Sequence, residues 1–233
     1  MNNVTLQLKI KQRLNKLASN DYDNIECWQI VEAFNKAQTD WCRRNLHGLN
    51  LLQEGDEESI RRIDDLQILL TTTGISLTEQ PTYFESATLP TDYFQWKRLS
   101  LKASSDCCED RPFVVYLAEQ ANVDELLRDK NKKPSFEWAE TFATMRSNKI
   151  QIYTNGEFFI NEASLTYYRL PRNIQIINCT DPYTQLISTV DVPCEFKDDV
   201  TELFIEEAVK ILAADMESFN QYQRAQQSVE GNN

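Results

Sequence analysis

KIQIYTNGEFFINEASLTYYRLP, residues 149–171, is the stretch on which the reading of the fold turns. Two apolar runs meet at Asn155-Gly156, and a third run closes on Tyr-Tyr-Arg-Leu-Pro. An Asn-Gly pair takes the positive φ angles of a two-residue turn readily, so the pattern predicts a β-hairpin. With that turn Thr154 opposes Glu157, Tyr153 opposes Phe158 and Ile152 opposes Phe159. Both faces then carry apolar or aromatic pairs. A sheet of this kind needs cover on both sides, from a helix, a second sheet or another subunit. The stretch contains no obvious reactive group.

Toward the N-terminus the period changes from two to that of a helix. Leu6, Ile10, Leu14 and Leu17 mark the apolar stripe of a first helix. Asp23 with Glu26 has the spacing of a capping box for a second helix, whose stripe is Ile30, Phe34, Ala37 and Trp41 and whose end falls at His47-Gly48. A third helix is expected from about Asp56, with Ile60, Ile63, Leu66 and Leu70 inward. From Thr72 the Thr-rich, aromatic sequence punctuated by Pro81 and Pro90 predicts short strands. Residues 94–103, 112–118 and 136–145 read as further strands, and 122–129 reads as a short helix. Leu165–Leu170 and Ile174–Cys179 add two more. A closing helix opens on a second capping box, Asp199 with Glu202, and its stripe is Ile205, Ala208, Val209, Leu212, Met216 and Phe219.

The expected class is α+β: a small bundle of the N- and C-terminal helices with an inserted antiparallel β-rich domain. The expected boundaries are 1–73 with 198–225 for the bundle, 74–197 for the insertion and 226–233 for a polar tail.

Composition narrows function mainly by exclusion. With 36 acidic against 24 basic side chains the net charge is −12, which repels a nucleic-acid backbone. No run of about 18 apolar residues is present, so no membrane span or secretory leader is expected. The six cysteines form no Cys-x-x-Cys pair, and the expectation is reduced thiols of a protein made in a cytoplasm. One local exception stands against the acidic balance. Residues 1–17 carry Lys9, Lys11, Arg13 and Lys16 with no acid, which reads either as a solvated face or as a docking face for an acidic neighbour.

Catalytic chemistry finds little footing. His47 is the single histidine, so nucleophile pairs and histidine metal clusters lack partners, and the cysteine spacing does not suit zinc. Five scattered glycines form no phosphate-binding loop. Adjacent acids such as Glu57-Glu58 and Glu206-Glu207 point about 100° apart on a helix and do not converge. The expectation is no catalytic residue, no cofactor, no metal and no enzymatic activity. Trp28, Trp41, Trp96 and Trp138 are read as packing residues.

Four segments carry a resemblance: IECWQIVEAFNKAQTDWCRRNLHG (25–48), LPTDYFQWKRLSLKAS (89–104), YYRLP (167–171), and DDVTELFIEEAVKILAADMES (198–218) with the Gln-rich run after it. Their order resembles the head-to-tail adaptor, or connector ring, proteins of tailed bacteriophages. It is most similar to those of short-tailed, crAss-like phages, and in architecture to tail tubular (gatekeeper) proteins. The insertion is larger than is usual in adaptors of this type.

The resemblance implies a structural virion protein of the neck, in a ring of about twelve copies. Such a ring joins the portal protein to adjacent tail or ring proteins and passes double-stranded DNA without binding it specifically. Partner-binding residues expected on this reading are Lys9, Lys11, Arg13 and Lys16 on the first helix, Tyr167 and Tyr168 on the sheet, and Tyr222 and Arg224 in the tail. The alternatives are an assembly chaperone or soluble binding module of a virion, and a carboxylate-dependent hydrolase.

Overall fold

The structure is a computed structural model that describes residues 1–17, 25–47, 64–106, 108–215 and 226–227, the side chains of 15–17 and 47 excepted. Its elements are α1 (Asn3–Leu17), α2 (Cys27–His47), β1 (Leu70–Gly74), β2 (Leu77–Glu79), β3 (Tyr83–Ser86), β4 (Tyr93–Ser105), β5 (Cys108–Leu117), α3 (Val123–Arg128), β6 (Glu140–Arg146), β7 (Lys149–Tyr153), β8 (Phe159–Arg169) and α4 (Asp198–Asp215). The class is α+β. Two compact units divide the chain: Met1–Ile68 with Pro171–Asn233, and Leu69–Leu170. The β-rich unit thus ends at Leu170, not at residue 197, because residues 171–197 group with the helices.

In the helical unit, Leu6, Ile10 and Leu14 of α1 and Ile30, Phe34 and Ala37 of α2 are fully buried, as their spacing predicts. Helix α4 packs on both α1 and α2. Its Phe204 is the hub of an aromatic cluster, with ring centroids 5.8 Å from Phe34, 5.4 Å from Trp41 and 5.1 Å from Phe196. Edge-to-face geometry of this kind adds about 0.5–1.5 kcal/mol per pair to the burial itself. Asp23, Gly48, Asp56, Ile60, Ile63, Met216 and Phe219 lie outside the described residues. At the start of α2, the Glu26 N–H donates to Gln29 Oε1 at 3.0 Å, which satisfies one exposed donor of the first turn. The expected third helix is helical over 64–66, tightens into a 3-10 turn at Gln67–Leu69 and gives way to β1, so Leu70 is a strand residue.

The second unit is one eight-stranded sheet in the order β1-β8-β4-β5-β6-β7-β3-β2. All neighbours are antiparallel except β5 and β6, whose parallel pairing needs the crossover that carries α3. The two edge strands, β1 and β2, are consecutive in the chain with only Ile75-Ser76 between them. Laid flat, eight strands would separate their edges by roughly 34 Å at about 4.8 Å per step, whereas three Cα steps reach about 11 Å. The sheet must therefore curl onto itself. Residues 70–79 act as one bent strand, with Ile75 N–H donating to Ala163 O on β8 and Ala87 N–H donating to Ser76 O, both at 3.0 Å. A barrel closed in this way leaves little free edge.

Alternation along the strands fills the barrel. Leu99, Leu101 and Ala103 of β4, Ala163, Leu165 and Tyr167 of β8, and Ile150 and Ile152 of β7 point inward. Phe113, Phe136 and Phe158 meet among them, with Phe113 and Phe158 centroids 4.6 Å apart. On the opposite face Tyr153 stacks on Phe142 at 4.8 Å, and α3 contributes Val123, Leu126 and Leu127 to that cluster. The two apolar faces read from residues 149–159 are thus covered within the chain, by barrel interior and by helix.

The hairpin itself is a correction. Asn155 and Gly156 do take positive φ, 51° and 73°, and Glu157 N–H donates to Thr154 O at 3.0 Å. The turn forms, but β7 and β8 do not pair. Strand β7 is flanked by β6 and β3, while β8 lies between β1 and β4. The amides of Thr154 and Asn155 both donate to Thr82 O, which ties the turn to the chain entering β3. The hairpin lies one turn earlier: Ser147 and Asn148, at φ 50° and 60°, join β6 to β7 with Arg146 opposite Lys149. Ile174–Cys179 is not a strand either; residues 175–192 form a loose loop closed by isolated bridges Gln175–Val192 and Thr180–Ile187.

Candidate interaction surfaces

Two of the basic side chains of α1, Lys9 and Arg13, have acidic partners inside the chain. Lys9 Nζ and Arg13 Nη2 both bond the Glu202 carboxylate on α4, Arg13 at 2.5 Å, and Arg13 Nη1 lies 3.9 Å from Glu206. Partial burial raises the Glu202 pKa, but the Lys9 hydrogen bond and the Arg13 charge outweigh it and hold the carboxyl below its usual value. Glu202 therefore serves a helix-to-helix ion pair, not the capping box expected for α4. Of the four bases proposed for docking, Lys9 and Arg13 have this partner inside the chain. Lys11 is half-buried, and the Lys16 side chain lies outside the described residues, as do Tyr222 and Arg224.

Tyr167 and Tyr168 are not surface groups; they are 3% and 4% exposed. Tyr167 lies in the barrel core and its hydroxyl donates to Asp92 Oδ1 at 2.9 Å. Burial and this bond to a carboxylate push its pKa up to about 12. Lys97 Nζ sits 5.9 Å over the Tyr168 ring. Strand alternation does put the two rings on opposite faces, but both faces are covered here.

What sequence reasoning passed over is the loop between Pro171 and Lys197. Its base is held by side-chain amides. Asn35 Oδ1 accepts from Ile174 N–H at 2.8 Å, Gln38 Nε2 donates to Arg172 O at 2.9 Å, and Asn3 Nδ2 donates to Gln175 O, Asp191 Oδ1 and Val192 O. A disulfide joins Cys27 at the start of α2 to Cys179, with a Cα–Cα distance of 5.7 Å. That corrects the expectation of reduced thiols: residues 152 apart in sequence meet only in the fold. Cys42 and Cys194 remain buried thiols, and burial raises both pKa values, so neither is a ready thiolate.

Beyond this anchored base the loop turns outward. Asp181 accepts from Tyr183 N–H at 2.8 Å and from the Thr184 hydroxyl at 2.9 Å, which shapes the tip. The side chains that follow are apolar and exposed: Tyr183 80%, Leu186 69%, Ile187 60% and Val190 54%. Pro182–Val190 contains no charged residue. The signal in the sequence was weak, because Tyr183, Leu186, Ile187 and Val190 are interspersed with Thr184, Gln185, Ser188 and Thr189 and follow no helix or strand period.

A second feature lies in the barrel wall. Where the bent strand leaves β8 at Gly74-Ile75, the flank of β8 over Phe159–Glu162 has β4 as its only strand neighbour among the described residues. Asn161 is the extra residue of a bulge there, its side chain tied to Ser104 Oγ and Asp110 Oδ1. A pocket of about 630 Å³ opens at this seam, lined by Gly74, Leu77, Leu101 and Ile160 among others. Its two charged residues, Lys102 and Glu162, pair with each other at 2.7 Å.

Among the described residues no cluster of His, Cys, Asp or Glu is arranged to hold a metal ion, and no helix is long and apolar enough to cross a membrane. No protein-family model matches the chain, and no curated protein matches it.

Proposed function

We propose that this chain is a structural subunit of a phage neck, a ring-forming adaptor that joins portal to tail and lines part of the DNA conduit. The reading starts from the resemblance of the four quoted segments. The observation that carries it furthest is a combination: a chain of net charge −12 exposes Tyr183, Leu186, Ile187 and Val190 together on one uncharged loop. Soluble monomers seldom expose large apolar side chains in such a group, whereas subunits completed by neighbours do so at their contacts. Charge supports the second half of the proposal. An acidic ring releases no counterions from passing DNA, so DNA slides through without being held. On this reading the chain carries out no reaction, and its work is mechanical.

Native mass spectrometry and negative-stain imaging of the purified chain, alone and mixed with portal, test the proposal. Rings, or rings formed on portal, are expected. A chain that stays monomeric and ignores portal at micromolar concentration sinks it.

A further inference from the structure

The Cys27–Cys179 bridge ties the outer part of the exposed loop to α2 at one point. Among the described residues, no hydrogen bond or ion pair links residues 176–190 to α1, α2 or α4, so the disulfide is their one covalent or polar tie to the helices. The base of the loop is anchored separately. Asn35 and Gln38 hold residues 172–174, and Asn3 holds Gln175, Asp191 and Val192. Hydrogen bonds beyond the base run between the loop's own two arms: Asn178 N–H donates to Ser188 O, Ser188 N–H to Cys179 O and Asp181 N–H to Leu186 O. The two arms form a small body on a fixed base, fastened to the first residue of α2 by the bridge.

Two features make this attachment reversible. Cys27 is half-buried, so a small external thiol reaches its sulfur, whereas Cys179 is buried. The fold around the bridge also has supports of its own: the buried stripes of α1 and α2, the Phe204 cluster and the amide anchors at the loop base all form without a closed disulfide. Cys42 and Cys194 are buried thiols with raised pKa values, and neither is a thiolate ready to intercept the exchange. We propose that the Cys27–Cys179 bridge is a reversible redox latch. Closed, it fixes the loop that carries Tyr183, Leu186, Ile187 and Val190; open, it lets that loop move on its base. The proposal does not depend on the adaptor reading.

The exchange balances with a low-molecular-weight thiol of the glutathione class as reductant. Its thiolate attacks Cys27 Sγ, the S–S bond breaks, and Cys179 leaves as a thiolate that takes up a proton. A second external thiolate then attacks the mixed disulfide on its external sulfur and releases Cys27. The products are a protein dithiol and one external disulfide, and the same external disulfide reoxidises the pair by the reverse steps. An apolar surface held in one place binds a partner without the cost of ordering it first, so the closed form is the one in which the loop is ready to bind.

The full chain, equilibrated in buffers of increasing reduced-to-oxidised glutathione ratio below its melting temperature, tests the latch. Alkylation with peptide mapping reads the bridge, chymotrypsin cleavage after Tyr183 or Leu186 reads the loop, and far-UV circular dichroism reads the fold. Opening of the bridge should speed cleavage in the loop about tenfold, since proteolysis tracks how often a segment opens, with the helical signal unchanged. Reoxidation should restore the slow rate. Cys27→Ser and Cys179→Ser should both cleave at the fast rate with or without glutathione. Five results would overturn the latch: a bridge that never forms in oxidised glutathione, one that resists the fully reduced buffer, equal cleavage rates in the two states, loss of the helical signal on reduction, or a Cys27→Ser chain that still responds to glutathione.

Discussion

Asn35 on α2 pairs with Ile174 as a neighbouring strand would: its Oδ1 accepts from the Ile174 N–H at 2.8 Å, and its Nδ2 reaches the Ile174 carbonyl at 3.4 Å. A helix side chain thereby substitutes for a sheet in satisfying the backbone at the base of the exposed loop. Asn35→Leu keeps the bulk and removes both bonds. It should cost about 1–3 kcal/mol in urea denaturation, the usual penalty for stranding buried backbone groups. Hydrogen exchange at the Ile174 amide should rise in parallel; unchanged exchange there would refute the role assigned to Asn35.

Glu202 sits between Lys9 and Arg13, and its folded pKa is depressed. A depressed carboxylate contributes stability above its unfolded pKa, near 4.5, and loses it as pH falls through the folded value. Glu202→Gln should be less stable than the parent by about 1 kcal/mol at neutral pH, since the pair is partly exposed. The gap between the two proteins should close as pH drops below about 4.5. Melting curves at a series of pH values would show it.

Tyr167 gives the opposite end of the pH scale. Its phenol is raised to about 12 by burial and by the bond to Asp92, against an unfolded value near 10. A raised pKa leaves its full contribution in place below pH 10 and removes it as pH climbs toward 12. Tyr167→Phe should therefore lose less stability than the parent between those values, while losing about 1 kcal/mol at neutral pH with the hydrogen bond. Comparable alkaline losses in the two proteins would contradict this.

Gly156 has φ +73°, a backbone conformation that β-branched residues adopt at a cost of about 1–2 kcal/mol. Gly156→Val should lower the melting temperature, and Gly156→Asn should change it little. The effect belongs to folding, because the turn is tied to Thr82 and does not set a β7–β8 register.

The Cys27–Cys179 bridge closes a loop of 152 residues. In the chain-entropy account a loop of this length is worth about 4–5 kcal/mol, so Cys27→Ser should destabilise the helical unit markedly in the absence of reductant. Non-reducing peptide mapping should recover the two cysteines on one linked fragment. Recovery of both as alkylated thiols would remove the bridge from the account.

Much of the architecture was legible without coordinates. The stripes Leu6-Ile10-Leu14 and Ile30-Phe34-Ala37 predicted both helices and their buried faces, because helix periodicity is a local property of the chain. The Asn155-Gly156 turn was equally legible, since only the φ preferences of two residues decide it. What that turn joins was not. Strand partners are chosen by contacts across the whole chain, and β7 found β6 and β3 while β8 found β4 and β1. The candidate sites show the same division. Charge on α1 was visible in the sequence, but the pairing of Lys9 and Arg13 with Glu202, 193 residues away from Lys9, was not.

By itself, then, the sequence determined helices α1 to α4, the Asn155-Gly156 turn, the α+β class and the acidic, motif-poor composition, all consequences of short-range periodicity and composition. Only the tertiary structure decided that residues 70–79 bend to close a barrel, that Cys27 meets Cys179, that Tyr167 and Tyr168 are interior, and that an uncharged apolar loop is left facing outward. These depend on which distant segments come together, and that selection is made by burial summed over the whole chain, which no local pattern encodes.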